Sequence, residues 1–238
     1  MYHLHMRFRT IVRRHHTSAR QTVPVHGRLR QVLRHSAQPV TVLTAPYPPN
    51  HRKSNAQDVP LFHGATLSSF TSISLHPLPI VAFSLRLPSR SADSIRKPDP
   101  SNTPSIPHLV INILGARQTN TAIKFSHADL YPDPFSDTRY ELSEEGIPIL
   151  SGCIGALSCT LLTSLPLYGD ALTVYGIHPE ELLSQSTTSS GTPEANSELF
   201  IARVMRVEDT GPNEGLLPLI YHGRQYSTVE PLPGSLPP

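Results

Sequence analysis

The 238-residue chain fits one domain of ordinary size with tails. Hydrophobic residues make up 38% of it, which is lean, whereas proline is abundant at 25 residues. Many prolines lie outside the apolar segments, so we expect a packed core with long proline-rich loops. The longest apolar-rich segment, 147–167, is interrupted by Ser, Gly, Thr and Pro. No run is therefore apolar for long enough to cross a membrane as a helix.

The net charge of +2 conceals an asymmetry along the chain. Residues 1–57 contain ten of the twenty Lys and Arg and no acidic residue, whereas the remainder has ten basic and eighteen acidic residues. Within 1–25, Leu4, Phe8 and Ile11 fall near helical spacing among arginines. These features predict a mitochondrial transit peptide and a matrix location. A basic arm that binds nucleic acid is the alternative. We favour targeting, because no surface that combines basic and aromatic residues recurs later in the chain.

The first predicted elements are a short helix and then strands. Arginines surround an apolar stripe over 27–35, which predicts an amphipathic helix. The segment 38–44 predicts a strand, and the polar, proline-rich segment 45–60 predicts a loop. Residues 65–75 alternate between polar and apolar side chains, as a half-buried strand does.

The segment 80–87 is the clearest strand in the sequence. From Val81 to Leu87 its odd-numbered positions are apolar and belong in a core. Its even-numbered positions are small or polar and can face a ligand or solvent. Ser89 follows as the expected N-cap of a short helix that extends through Ile95. The proline-rich segment 97–107 predicts a linker.

The second half of the chain predicts more strands than helices. A helix is expected over 119–125 and a loop over 128–140. The expected strands are 108–114, one or two within 147–162 with a bend at Gly152 and Gly155, 198–207, and the end of 216–226. Six or more strands with few short helices predict a mainly β, antiparallel barrel-like fold.

Two low-complexity segments frame the end of this domain. The segment 176–197, rich in Ser, Thr and Glu, predicts a disordered surface insertion, and 231–238 predicts a proline-rich tail. The folded domain is therefore expected to occupy 26–230, with the insertion inside it.

The two cysteines, Cys153 and Cys159, lie in one apolar stretch. Six residues apart on a continuous strand they would be separated by roughly 20 Å, which is too far for a disulfide. No further Cys or His stands at a spacing typical of a metal site, so no metal is expected. Buried free thiols are the expected state.

Small hydroxylated residues form two clusters around the strand 80–87. One cluster is Thr66 to Ser69 and the other runs from Ser84 to Arg90. Hydroxyls and backbone N–H groups without bulky side chains suit a phosphate and a flat polar ring at close range. If the two clusters converge on one concave patch, they predict a wall of a cofactor site.

Six segments taken in order resemble the flavin reductase-like family, the FMN-binding split-barrel proteins. They are LRQVLRHSAQPVTVLTA, GATLSSFTSISLHPLPIVAFSLRLPSR, HLVINILGARQTNTAIKFS, IPILSGCIGALSCTLL, ELFIARVMRVE and PLIYHGRQY. Any one of them is a weak signal, but their collinear order over about 28–229 is specific. The resemblance implies an antiparallel split β-barrel with few short helices.

The resemblance also implies which residues contact the cofactor. In that family the segment matching Thr66, Ser68, Ser69 and Phe70 wraps the flavin, and the region matching Ser84, Ser89 and Arg90 contacts its phosphate. The forked donors of a guanidinium suit a phosphate. The ending YHGRQY resembles the family's final motif, so His222 is expected near the flavin and nicotinamide, although one residue is missing after it. The alternative is that these serines only end strands and cap a helix.

The implied activity is hydride transfer from NADH or NADPH to FMN, or to FAD. The implied partners are a second copy of the chain, in a homodimer, and an oxygenase that receives reduced flavin. One departure matters: many members carry Gly-Asp-His where this chain has Ala195-Asn196-Ser197-Glu198. Two alternatives therefore stay open. One is a flavin-binding protein with different or lost activity, and the other is a non-catalytic scaffold subunit of a mitochondrial assembly.

Overall fold

The fold is taken from a computed structural model that describes residues 25–47, 62–96, 106–177, 196–211 and 215–230. The helices in these ranges are α1 (Val25–Arg34), α2 (Arg90–Ile95), α3 (Thr119–Ser126) and a 3₁₀ helix (Gly169–Tyr175). The strands are β1 (Gln38–Pro39), β2 (Thr41–Pro46), β3 (Phe62–Leu67), β4 (Thr71–Ser74), β5 (Ile80–Leu87), β6 (Leu109–Ile113), β7 (Tyr140–Leu142), β8 (Pro148–Leu150), β9 (Gly155–Pro166), β10 (Asn196–Glu208), β11 (Ile220–His222) and β12 (Gln225–Ser227). Within the described ranges, no helix has the length and apolarity needed to cross a membrane.

A seven-stranded antiparallel sheet dominates the molecule, in the order β3-β2-β6-β9-β10-β5-β4. Its two edge strands, β3 and β4, are consecutive in the chain and are joined by only Ser68, Ser69 and Phe70. A sheet whose opposite edges are connected by three residues has to curl until those edges approach each other. The predicted mainly β, antiparallel split barrel with few helices is therefore confirmed.

Alternating apolar residues on the strands fill the inside of the curled sheet. The core contains Phe83 from β5 and Phe200 from β10, which are both fully buried and stack with ring centroids 5.5 Å apart. Each side chain of this size stabilises the fold by about 1.5–3 kcal/mol when buried. Ala92 and Ile95 of α2 close the core, so this short helix is attached by its apolar side.

A second apolar cluster lies on the other face of β2. It includes Val42 of β2 and Phe125 of α3. The hairpin β11–β12 pairs with β1 at this side and turns through Gly223 and Arg224, both with positive φ. Two central residues with positive φ give the tight turn that matches strand twist.

Several predicted elements are confirmed within one or two residues. The strand 80–87 and its cap at Ser89, the strand 108–114 and the helix 119–125 correspond to β5, α2, β6 and α3. The single strand predicted over 38–44 is wrong: it divides at Val40, because β1 and β2 pair in different sheets. Likewise 65–75 is two strands, which lie at opposite edges of the large sheet.

Other differences come from contacts that sequence periodicity does not report. The predicted loop 128–140 ends one residue early, because Tyr140 begins β7 and pairs with β8. The 3₁₀ helix carries no amphipathic pattern and was not predicted. Segments 1–24, 178–195 and 231–238 lie outside the described residues, so their proposed roles stay predictions.

Both cysteines are buried free thiols, as predicted. Burial raises the pKa of each to about 12, and a hydrogen bond from Gln118 opposes the rise at Cys153. They are therefore uncharged at neutral pH and behave as small apolar side chains.

Candidate functional site

A cavity of about 750 Å³ lies along β3 and the connector that follows it. Its other walls come from the end of β5, the start of α2, the end of α3 and the loop after α3. The volume falls in the range of roughly 300–1,000 Å³ typical of small-molecule sites. The curl of the sheet creates this space, because it brings β3 and β5 together across the connector.

Six of the eight predicted site residues line this one cavity. They are Thr66, Ser68, Ser69, Ser84, Ser89 and Arg90. The two small-residue clusters therefore converge on a single concave patch, as the sequence predicted. Flavin contact by these residues stays a prediction at this point.

The other two predicted residues are not among those that line the cavity. Phe70 packs against the main apolar core, so its apolar ring is used for folding. His222 is exposed on β11, in the hairpin whose Gly223 N–H donates to the Arg34 carbonyl of α1 at 2.8 Å. The resemblance predicted both residues near the cofactor, whereas in a single chain Phe70 packs against the core and His222 is exposed to solvent.

Two of the cavity hydroxyls also hold the walls together. The Ser69 hydroxyl accepts from the Ser84 N–H at 2.9 Å and donates to the Ser84 carbonyl at 3.1 Å. Thr66 donates to the Ala122 carbonyl of α3 at 2.7 Å. These two hydroxyls therefore have a structural role. Ser69 fixes the connector to β5, and Thr66 fixes β3 to α3.

Ser89 and Arg90 form the polar end of the cavity. The Ser89 oxygen accepts from the Ala92 N–H at 3.2 Å as the N-cap of α2, which leaves its O–H able to donate to a ligand. The guanidinium groups of Arg86 and Arg90 are exposed, and neither forms an ion pair with another described residue. By contrast, Lys124 is neutralised by Asp137 at 2.5 Å. This end therefore offers positive charge and hydroxyl donors to an anion.

Aromatic side chains line another part of the cavity. Tyr47 and His63 lie ring against ring with centroids 3.8 Å apart and an angle of 34° between planes. Phe62 and Tyr131 also line it. These residues were not predicted as part of the site. Tyr47 lies within the predicted loop 45–60, and Phe62 and His63 lie between that loop and the small-residue cluster. The cavity thus combines flat aromatic surfaces with a cationic end.

Gly64 on β3 is required by the close packing of α3. A Cβ at this position would lie 2.4 and 2.5 Å from two ring carbons of Phe125, which is itself buried. The absence of a side chain lets β3 approach α3 and sets the width of the cavity at this wall.

A partly buried ion pair lies at the other end of α2. Glu198 on β10 is 2% exposed and accepts from the Arg96 guanidinium, which follows the last residue of α2. Burial acts to raise the pKa of Glu198, but hydrogen bonds from Arg96 and Ser164 and the charge of Arg96 outweigh it and lower the pKa. The carboxylate is therefore charged at neutral pH.

Ser197, next to Glu198, corrects one boundary of the sequence prediction. It lines the cavity and belongs to β10, which begins at Asn196, whereas the insertion was expected to extend through 197. Pairing with Arg86 on β5 keeps Ser197 in the sheet. In this chain a small hydroxyl side chain therefore faces the cavity in the segment where many family members carry Gly-Asp-His.

Comparison with known proteins agrees with this architecture. The model of the flavin reductase like domain matches residues 33–230. The chain belongs to the flavin reductase-like domain family. The match covers the whole sheet, the cavity and the final hairpin.

Two curated relatives illustrate the level of similarity. A flavin reductase from Pseudomonas putida is 35% identical over 113 residues, which cover 48% of this chain and 59% of that protein. An NADH-dependent flavin reductase from a Rhodococcus species is 29% identical over 146 residues, covering 61% of this chain and 70% of the relative. The first alignment therefore spans less than two thirds of the relative's length.

Solved structures share the fold. A flavin reductase domain protein from Arthrobacter aligns with a TM-score of 0.59 over 89% of this chain and 99% of its own, at 21% identity. The likeness at this identity establishes the architecture.

Proposed function

We propose that this protein is an oxidoreductase that reduces FMN with NADH or NADPH. The observation that carries the proposal is the cavity, in which flat aromatic walls and a cationic end bearing Ser89 and Arg90 lie within one space. A flavin mononucleotide has the matching parts, namely a planar ring system and a terminal phosphate. Family membership makes flavin the natural occupant of such a cavity.

The residues of this chain would bind and orient the flavin. Arg90 would hold the phosphate through its forked donors, with the O–H of Ser89 as a further donor. The small side chains of Ser68 and Ser84 would let the ring approach the backbone. When bound, the flavin supplies the hydride-accepting chemistry, so no protein acid or base is needed.

The choice between FMN and FAD is part of the proposal. A relative from Agrobacterium fabrum, 32% identical over 96 residues, is named an NADH-dependent FMN reductase. A solved NADH:FAD oxidoreductase from Streptomyces globisporus contains fragments of NAD and FAD. We favour FMN, because Ser89 and Arg90 line the cavity and can bind a terminal phosphate, which FMN has at the end of its ribityl chain.

A specific observation favours a second candidate function, flavin binding without turnover. Ser197 faces the cavity in the segment where many members of the family carry a histidine. A serine side chain is shorter than a histidine side chain and has no imidazole ring, so the nicotinamide would lose one hydrogen-bond contact. This candidate predicts tight flavin binding without NADH oxidation.

We propose that reduced flavin passes to a separate oxygenase. A relative from Mycobacterium tuberculosis, 29% identical over 147 residues, is the reductase subunit of a flavin-dependent monooxygenase.

We also propose a homodimer, supported by α1, which buries none of its residues and leaves Val25 82% and Val32 67% exposed. Light scattering of the purified chain measures the oligomeric state.

A mitochondrial matrix location is also proposed. Its support is the arginine-rich, acid-free character of residues 1–25. A fluorescent fusion of the full chain is expected to enter mitochondria, whereas a fusion that starts at residue 26 is expected to stay outside them. Equal distribution of the two fusions would contradict the targeting role.

Flavin titration together with NADH oxidation tests the proposed function. The purified chain is expected to quench FMN fluorescence and to oxidise NADH or NADPH when FMN is added. Arg90→Gln is expected to weaken FMN binding by about tenfold, equivalent to about 1.4 kcal/mol. Arg117→Gln is the matched control, because Arg117 is exposed and is not among the cavity-lining residues.

The outcomes separate the candidates. Binding with turnover supports the reductase, and binding without turnover supports the second candidate. Absence of any flavin binding contradicts both and favours a scaffold role.

A further inference from the structure

The polar end of the cavity depends on the placement of one short helix. α2 begins at Arg90 and carries Arg90 and Ser91 into the cavity wall, with Ser89 as its cap. Ala92 and Ile95 attach the helix to the core through apolar contacts. Apolar contacts are non-directional, so they fix the distance of α2 from the core more firmly than the orientation of its axis.

A directional contact holds the other end of α2. Arg96 donates through Nε to Oε1 of Glu198 at 3.3 Å and through a terminal nitrogen to Oε2. Its remaining terminal nitrogen donates to Asp93 of the same helix at 2.6 Å. A two-point contact between a guanidinium and a carboxylate fixes orientation as well as distance.

The carboxylate in this contact is itself fixed. Glu198 lies in β10, between strands β5 and β9, and its side chain is 3% exposed. The residue before it, Ser197, lines the cavity. The pair Arg96–Glu198 therefore joins two walls of the same cavity, α2 and β10.

We propose that Glu198, acting through Arg96, is a positioning residue that sets α2 so that Ser89 and Arg90 meet the phosphate of the bound flavin nucleotide. The inference rests on the proposed function, since it assigns the polar end to a phosphate. It differs from a general stabilising role, because it concerns only the part of the ligand that α2 contacts. Riboflavin has the same ring system without the phosphate, so comparing its binding with that of FMN distinguishes a positioning role from a general stabilising role.

The chain provides a matched control on the same strand. Glu208 also lies in β10, is paired with an arginine, Arg206, and receives a hydrogen bond from a serine of β9, Ser158. Neither Glu208 nor its two partners lines the cavity. Glu208→Gln therefore makes the same chemical change in the same strand away from the polar end.

The experiment measures FMN and riboflavin affinities of the full chain and of both variants by fluorescence quenching. Glu198→Gln is expected to weaken FMN binding by about tenfold and riboflavin binding by less than about twofold. Glu208→Gln is expected to leave both affinities within about twofold of those of the original chain. Equal weakening of FMN and riboflavin in Glu198→Gln, or no weakening of either, would overturn the positioning role.

A second variant guards against a folding defect. Arg96→Lys keeps the positive charge but cannot make both contacts to Glu198, so a smaller loss of about threefold for FMN alone is expected. If this variant is folded and binds FMN as the original chain does, the proposal is wrong. If the original chain binds neither FMN nor riboflavin, the proposed function itself fails, which is a distinct result.

Discussion

Strand β10 carries a glutamate near each end, and the two glutamates differ in which parts of the molecule their ion pairs connect. Glu198 pairs with Arg96 beside the cavity and its side chain is 3% exposed. Glu208 shares Arg206 with Glu145 and Glu144 of the β7–β8 turn, away from the cavity. The first pair connects a helix to a cavity wall, whereas the second ties a surface turn to the sheet. The same pairing thus has a positioning role at one end and a structural one at the other.

The surroundings explain why the two pairs are not equivalent. Arg206 pairs with three carboxylates, of which Glu144 is largely exposed. The hydrogen bond from Arg206 is the main cause that lowers the pKa of Glu145. Carboxylates on a turn can move into water when their partner is removed. Glu198 has no such exit, since its side chain is 3% exposed and does not lie on a turn. A buried charge that loses its partner is strongly destabilising.

The largest expected effect follows from this contrast. Arg96→Met is expected to lower the free energy of unfolding by about 3 kcal/mol, because it leaves the Glu198 carboxylate buried and unpaired. Arg206→Met is expected to cost about half as much, since two of the three carboxylates that it leaves, Glu144 and Glu145, lie on the β7–β8 turn and can be rehydrated. Urea unfolding of the two variants measures both values. A larger loss in Arg206→Met would reverse the comparison.

Two glycines extend the comparison to packing. Gly64→Ala is expected to cost about 2 kcal/mol, because the new Cβ overlaps the buried ring of Phe125 at the cavity wall. Gly155→Ala, near the Glu208 end of the sheet, is the control, since a Cβ there meets nothing within 4 Å. It is expected to be neutral or slightly stabilising. Thermal unfolding of both variants checks this, and equal destabilisation would contradict the close approach of β3 to α3.

The smallest expected effect is a dependence on pH. The pKa of Glu198 in the folded chain lies below its ordinary value of 4.5, so the native state holds the charged form and the unfolded state binds the proton first. The stability contributed by this group is therefore complete above about pH 4.5 and is lost as the pH falls through the lower folded pKa. In the part of the chain that the structure describes, Arg96 is the charged group paired with Glu198, and Asp93 of α2 pairs in turn with Arg96.

Unfolding midpoints measured between pH 3 and 7 test this dependence. The difference between the original chain and Glu198→Gln is expected to be constant near neutrality and to narrow below about pH 4.5. A difference that does not change with pH would mean that charge at Glu198 is not what stabilises the fold.

Periodicity predicted local structure well where one face of an element is buried. β5 and the cap at Ser89 were predicted closely, because alternating apolar residues and a capping serine are local signals. The convergence of Thr66–Ser69 with Ser84–Arg90 was also predicted, since only a short segment separates the two clusters. The strand 65–75 was predicted as one element because alternation does not reveal a change of sheet edge.

Long-range contacts in the candidate site left no local signal. Arg96 and Glu198 are separated by 102 positions in the chain, and the arginine was not singled out. Ser197 was placed in an insertion because it follows a polar, Ser-rich stretch. The folded structure, in which β10 pairs with β5, shows that Ser197 lines the cavity. His222 was assigned by resemblance alone, and a single chain leaves it exposed on the final hairpin.

A crystal structure of the full chain with FMN tests the central claim most directly. The account predicts the ring system in the cavity between β3 and the end of β5, with the phosphate within hydrogen-bond distance of Ser89 and Arg90. Flavin bound elsewhere, or bound in this cavity with its phosphate directed away from α2, would contradict it.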